Sequence, residues 1–314
     1  MLAAVATALA RVVPLVGAPV LAIALAVLLR AVVRLPDPLR PGLAYSGRTV
    51  LQAAIVVSGF GLSFLTVLRT GIGTLPVTLG TMAVALILAP FVGRALHLDR
   101  AMRYLVGIGT AICGASAIAA ISTVLEPPEA DVALSIATVF FYNVIAVLLF
   151  PPLGHLMHLT QDAFGLWAGT AINDTSSVVA AGFTYGREAG DHATIVKLTR
   201  ATLILPIVAF VALRKARREH VRGVPVPWRK IVPWFIVWFL LAALINTIGV
   251  IPAAWHEAIG LIATFLISVA LAAIGMQTEI ARLLRTGAAP LALGFILWAA
   301  VAISSLGIQR ATGL

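Results

Sequence analysis

The fold class this sequence predicts is an all-α polytopic membrane protein of about ten transmembrane helices, and three observations predict it. Of the 314 residues, 61% are hydrophobic and 11% charged, with a mean hydropathy of +1.05. A soluble domain is roughly half apolar and about a quarter charged, and could not hide this much hydrocarbon. Apolar runs of about 20 residues, the length that crosses the hydrocarbon core, recur along the whole chain. Lysine and arginine gather in alternate connectors, which accounts for the net charge of +10 as a topology signal rather than a nucleic-acid footprint.

In chain order, residues 1–10 followed by Arg11 lack a basic leader region and read as a stub before the first span. Spans are expected at 13–33, 49–68, 74–96, 104–125, 131–152, 163–184, 193–213, 231–251, 258–278 and 288–308. The connector 214–230 carries Arg214, Lys215, Arg217, Arg218, Arg222, Arg229 and Lys230, so it is placed in the cytoplasm. Alternation then puts 16 of the 22 basic residues inside, leaving Arg11, Arg69, Arg187, Lys197, Arg200 and Arg310. Both termini fall outside, as does the acidic turn of Glu126, Glu129 and Asp131. Trp228, Trp234 and Trp238 sit where an interfacial aromatic belt is expected. No connector is long enough for a soluble domain, so 1–314 is one transmembrane unit. Two groups of five spans, 13–152 and 163–308, would enter the membrane in opposite directions, as inverted repeats do.

Two stretches share a text. Residues 109–120 read Gly-Thr-Ala-Ile-Cys-Gly-Ala-Ser-Ala-Ile-Ala-Ala, and residues 169–180 read Gly-Thr-Ala-Ile-Asn-Asp-Thr-Ser-Ser-Val-Val-Ala. Small and hydroxyl residues with an Asn and an Asp suit a helix that breaks around a polar site. Such breaks are tolerated at membrane depth only where they are buried in protein or line a wet cavity. Gly109, Gly114 and Gly169 are expected to permit the irregular backbone. Thr110, Ser116, Thr175, Ser176 and Ser177 would stand at the breaks, where free N–H groups and the positive dipole end favour an anion.

Asp174 is the only acid near the middle of a span, with Asn173 beside it. An intramembrane charge is a functional candidate by default, here a proton or sodium carrier. The alternative is a helix N-cap for the restarting half-helix, and the two roles are compatible. Lys197 and Arg200 share one face of the seventh span. Two readings stand for them: anion binding or pairing with Asp174, and snorkelling to the outer surface. Asn143, Asn246 and Gln52 are expected to make interhelical hydrogen bonds. Gln277, Thr278 and Glu279 read as a capped helix end, and Cys113, the one cysteine, as a packing residue. The six histidines lie in loops or at span ends, so no metal site is visible, and no cofactor motif occurs.

The motifs 109–118, 173–182, 193–200 (Ala-Thr-Ile-Val-Lys-Leu-Thr-Arg) and 270–276 (Ala-Leu-Ala-Ala-Ile-Gly-Met) resemble the YeiH-like family of bacterial sulfate exporters. The resemblance covers nearly the whole chain from about residue 40. It implies a bacterial inner-membrane protein related to sodium/proton antiporters and bile-acid symporters, with inverted five-helix repeats and crossing broken helices. The family often has His where this chain has Asn173, which removes a proton relay at that position. The expected function is a secondary transporter exporting a small anion such as sulfate, sulfite or an organosulfonate, coupled to a proton or sodium, and able to form a homodimer. A channel is the alternative. An intramembrane hydrolase is disfavoured, because an aspartyl protease needs two carboxylates and only Asp174 is central. A Ser176/Ser177–Lys197 dyad is the one remaining hydrolytic arrangement.

Overall fold

The computed structural model describes residues 1–12, 17–33, 35–218, 231–278 and 287–314. It is 86% helix, with no strand among the described residues. The helices are α1 (Leu2–Val12), α2 (Ala18–Val32), α3 (Arg40–Tyr45), α4 (Leu51–Gly59), α5 (Phe64–Gly73), α6 (Leu75–Ala95), α7 (Arg100–Ala111) and α8 (Ala115–Leu125). There follow α9 (Glu129–Leu156), α10 (Gln161–Ala171), α11 (Thr175–Tyr185), α12 (Arg187–Thr202), α13 (Ile204–Arg218), α14 (Trp234–Thr247), α15 (His256–Gln277) and α16 (Ala288–Thr312). Much of the basic connector 214–230, with Arg222, Trp228, Arg229 and Lys230, lies outside the described residues, as does Glu279.

Among the described residues five segments are long and apolar enough to cross a membrane: α6, α9, the rod Arg187–Arg217 formed by α12 and α13, α15 and α16. A sixth pairs Asp37–Gly59 with Phe64–Gly73, bent by 108°. The span expected at 49–68 is therefore not straight. Asn246 holds the bend by donating Nδ2 to Leu62 O at 3.1 Å, and Thr247 Oγ1 accepts from the Phe64 N–H at 2.7 Å.

The larger difference concerns 104–125 and 163–184, which fold back on themselves instead of running straight. At the second stretch, Phe164 and Tyr185 stack with ring centroids 3.8 Å apart, although a straight passage would separate them by about 30 Å. The Tyr185 hydroxyl donates to Leu159 O at 2.5 Å, and Gln161 Oε1 accepts from the Ala189 N–H at 3.1 Å. α10 and α11 thus form a hairpin that returns to the end of α9 marked by Leu156. At the first stretch, a Cβ on Gly109 would lie 2.8 Å from Ile118 Cδ1, so α7 and α8 pack face to face. Met102 near the start of α7 accepts from Ser135 in the second turn of α9, and α8 runs by residues 126–128 into the start of α9. This hairpin therefore returns to the Glu129 end.

The rod Arg187–Arg217 fixes the relation between the two. It starts beside the α10–α11 hairpin. At its far end Lys215 Nζ donates to Val124 O at 2.9 Å and to Glu126 Oε2 at 3.2 Å. Placing Lys215 and Glu126 on opposite membrane faces, as the ten-span reading does, is incompatible with that contact. The hairpins enter from opposite ends and meet at their tips. α7–α8–α9 and α10–α11–α12–α13 each consist of a hairpin followed by a long rod. This arrangement of the described residues does not show the five-span repeats 13–152 and 163–308 expected from the sequence.

Side chains around the tips supply the core. Ile112, Ile118, Ile172, Phe150 and Phe164 are buried in one apolar cluster, and Phe150 stacks on Trp167 at 4.1 Å. α16 seals the flank: Trp167 Nε1 donates to Ala302 O at 3.0 Å, and the Thr170 and Ser305 hydroxyls meet at 2.7 Å. Small residues let α12 approach both arms of its hairpin. A Cβ on Gly169 would lie 2.7 Å from Val196, and one on Gly182 would lie 2.8 Å from Gly190 Cα.

Candidate functional site at the hairpin tips

The first break spans residues 112–114. α7 closes with the Ile112 N–H on Ile108 O at 3.0 Å and the Gly114 N–H on Gly109 O at 2.9 Å. Gly114 then takes φ +64° and ψ −128°, a conformation open to glycine and strained for other residues. Gly114 is thus the break residue. Gly109 and Gly169, expected at the breaks as well, lie inside α7 and α10, where missing side chains permit close packing.

The second break spans 172–174, and Asp174 caps α11. Its Oδ2 accepts from the Ser176 N–H at 2.9 Å, from the Ser177 N–H at 3.2 Å and from the Ser176 hydroxyl. Those are donors that a helix start leaves without intrahelical partners. Among the described residues Asp174 Oδ1 makes no hydrogen bond, and Asp174 is half-buried.

Lys197 and Arg200 are fully buried. Lys197 Nζ donates to Ile112 O at 2.8 Å and to Ile172 O at 3.0 Å, one carbonyl from each break. Arg200 donates from Nε to Ala111 O at 2.7 Å, from one terminal nitrogen to Thr110 O at 2.6 Å, and from the other to Thr170 O. All five carbonyls belong to the C-terminal ends of α7 and α10 or the first break residue after them. Such ends carry orphan acceptors and partial negative charge, so a cation is the electrostatic complement. This geometry overturns snorkelling, because neither cation reaches the surface. It also overturns pairing with Asp174: no salt bridge joins them among the described residues. The Ser176/Ser177–Lys197 dyad is not formed either, since Lys197 donates to carbonyls and Ser176 to Asp174.

The shared text acquires a structural meaning here. Counting from each opening glycine, Ile112 and Ile172 are equivalent and share Lys197. Thr110 and Thr170 are equivalent and share Arg200. Ser116 and Ser176 each stand second in the half-helix after the break. They differ in surroundings: Ser176 and Ser177 are buried, Thr175 is half-buried and Ser116 is exposed.

Asn143 was expected only to bridge helices, yet it holds the junction. It lies close to the midpoint of α9 and is buried. Its Oδ1 accepts from the Asn173 N–H at 3.0 Å and the Asp174 N–H at 3.3 Å. A Cβ on Gly114 of the other tip would lie 3.7 Å from Asn143 Nδ2 and 3.7 Å from Asn173 O. The only sequence signal was a lone amide near the middle of a largely apolar 28-residue helix. Asn173 is itself buried, and its Oδ1 has no hydrogen-bond partner among the described residues. A buried acceptor without a donor is costly, so this atom marks a place for a proton donor or a cation. Cys113 is a buried free thiol packed at the first tip.

The family model described as "Conserved hypothetical protein 698" matches residues 1–294. A UPF0324 membrane protein of Streptococcus pyogenes serotype M3 is 40% identical over 98% of this chain and 93% of its own length. One from Streptococcus pneumoniae strain R6 is 38% identical over 96% of this chain and 91% of its own length. One from Fusobacterium nucleatum is 36% identical over 100% of this chain and 96% of its own length. No solved structure matches. With that coverage and an all-helical fold built from long apolar rods, the chain belongs to the UPF0324 family of bacterial membrane proteins, the family of conserved hypothetical protein 698.

Proposed function

We propose that this protein is a secondary transporter for a small anion, working at the meeting point of the two hairpin tips. The observation that carries the reading is the junction itself: two helix breaks, reached from opposite ends, held together by two buried cations. Irregular backbone at that depth suits a transport site. In this reading the five long segments, the bent sixth and the shorter apolar helices α2 and α14 cross the bacterial inner membrane, and two hairpins reach half-way. Both termini remain outside, and the turn of Glu126 and Glu129 moves to the cytoplasmic side with Lys215.

Two cations against the single carboxylate of Asp174 leave the tips positive, which favours an anionic substrate. Lys197 and Arg200 act through that field and by closing the helix ends, not by touching the anion, since they are buried on carbonyls. The anion contacts fall to the start of α8, where Gly114 offers no side-chain cap and Ser116 is exposed, with Thr175 opposite. Asp174 Oδ1 takes a coupling proton, or Asp174 Oδ1 and Asn173 Oδ1 together take a sodium ion. Sulfate, sulfite and organosulfonates are the candidate substrates, on the resemblance to sulfate exporters.

The test is charge movement in proteoliposomes across a panel of sulfate, sulfite, taurine, sulfoacetate and carboxylates, with and without pH and sodium gradients. A saturable anion-specific signal is expected, with its pH or sodium dependence lost in Asp174→Asn. A signal from amines or cations alone would overturn the anion assignment.

A further inference from the structure

A second place on the molecule carries ligand chemistry, lined by none of the residues that hold the hairpin tips. α15 begins where Arg187 donates to His256 O at 3.0 Å, at the Leu156 end, and its 22 residues take it about 33 Å toward the Glu129 end. A cleft of about 290 Å³ opens between the last turn of α15, the segment 44–48 and the Glu129 half of α9, at Phe140. Its lining is Ala44, Gly47, Arg48, Phe140, Ile274 and Gln277.

Three features of this cleft point to one kind of occupant. Arg48 stands in a π-helical turn, Ser46–Val50, between α3 and α4, a local widening frequent at functional sites. Arg48 is exposed, and no carboxylate pairs with it among the described residues. Phe140, Ile274 and Ala44 make the rest of the lining apolar. Gln277 cannot supply a competing anion. Its Nε2 donates to Leu43 O at 3.1 Å and Ala273 O at 3.0 Å, tying the rim together. Gly47 sets the width of the cleft, because a Cβ there would lie 3.0 Å from Ile274 Cγ1 and 3.3 Å from Gln277 Nε2. A guanidinium fork suits a tetrahedral oxyanion, and the apolar wall suits a chain attached to it.

We propose that this cleft binds an amphipathic oxyanion, a phosphate or sulfate ester with its head on Arg48 and its alkyl part against Phe140 and Ile274. The site stands independently of the transport reading. Its ligand has two sources, a phospholipid of the surrounding bilayer and a free alkyl ester, which differ in how they reach the cleft.

One arm titrates octyl phosphate, with inorganic phosphate as the head-only control, into the protein in phosphatidylcholine nanodiscs. The other measures by native mass spectrometry whether phosphatidylglycerol is retained in preference to phosphatidylcholine. Saturable binding of octyl phosphate, or selective retention of phosphatidylglycerol, is expected. Arg48→Gln should weaken either at least tenfold, Arg48→Lys by less, and Phe140→Trp should fill the cleft. Retention of lipid without octyl phosphate binding assigns the bilayer as the source, and the reverse assigns a free ester. The proposal is overturned if neither arm shows binding, if Arg48→Gln binds as wild type does, or if inorganic phosphate binds as well as octyl phosphate. An unchanged thermal midpoint and elution volume for Arg48→Gln separate loss of the site from loss of the fold.

Discussion

The two hairpin tips are built from one text and finished differently. Both end their first helix on the same two cations, and both restart with a small residue followed by serine. The first tip turns on Gly114, has no side-chain cap and leaves Ser116 exposed. The second turns through Asn173 and Asp174, caps its half-helix with a carboxylate and buries Ser176 and Ser177. The common part answers a shared electrostatic need, the orphan carbonyls of two broken helices. The divergent part separates one tip with open backbone donors from one with a carboxylate and a spare amide oxygen. On the proposed transport function, the asymmetry separates anion contacts from coupling-ion contacts, while the symmetry holds the frame.

The broadest way to break this comparison is topological, because its outcome is all or none. In a Cys113→Ala background, Glu129→Cys and Arg217→Cys should be labelled by an impermeant maleimide from the same membrane face. Labelling from opposite faces would remove the first hairpin. Next in size is Arg200→Ala, which strips three buried carbonyls at both tips of their partner. Each unsatisfied group costs about 1–3 kcal/mol, so the thermal midpoint in detergent should fall steeply, with partial recovery in Arg200→Lys. Gly114→Ala should cost about 1–3 kcal/mol through backbone strain at positive φ, whereas Gly169→Ala should act by collision with Val196. Asp174→Ala should cost about 0.5–2 kcal/mol as a lost N-cap, and Asp174→Asn much less, because asparagine also caps. If the two variants unfold alike, capping is not what Asp174 contributes. Smallest on stability is Ser116→Ala, within about 0.5 kcal/mol at an exposed position. Any change it makes in substrate affinity then sharpens the assignment of the anion to the first tip.

The positions of both breaks were legible in the sequence, in the echoed Gly-Thr-Ala-Ile and in the Asp-Thr-Ser-Ser that caps α11. The direction of the chain after each break was not. Hydropathy reads the same for a helix that resumes and for one that folds back. The charge rule was blind as well, because neither 126–131 nor 151–162 contains Lys or Arg. Both errors reverse a face, so they cancel before the basic connector, and the alternation looks correct at either end. The cations Lys197 and Arg200 were legible from their spacing, but their partners are backbone carbonyls, which no side chain announces. Asn143 was underweighted for a related reason: its importance lies in what it touches from two directions.

The sharing of Lys197 between Ile112 and Ile172 has a mechanical consequence. A single ammonium group tied to both tips turns two separate hairpins into one moving part. Neither tip can retract alone without stranding a donor and an acceptor in a dry interior, so α12 must travel with whichever tip moves. The cheap sliding surfaces of this molecule lie outside that trio, along the flanks where helices touch through side chains instead of shared charge.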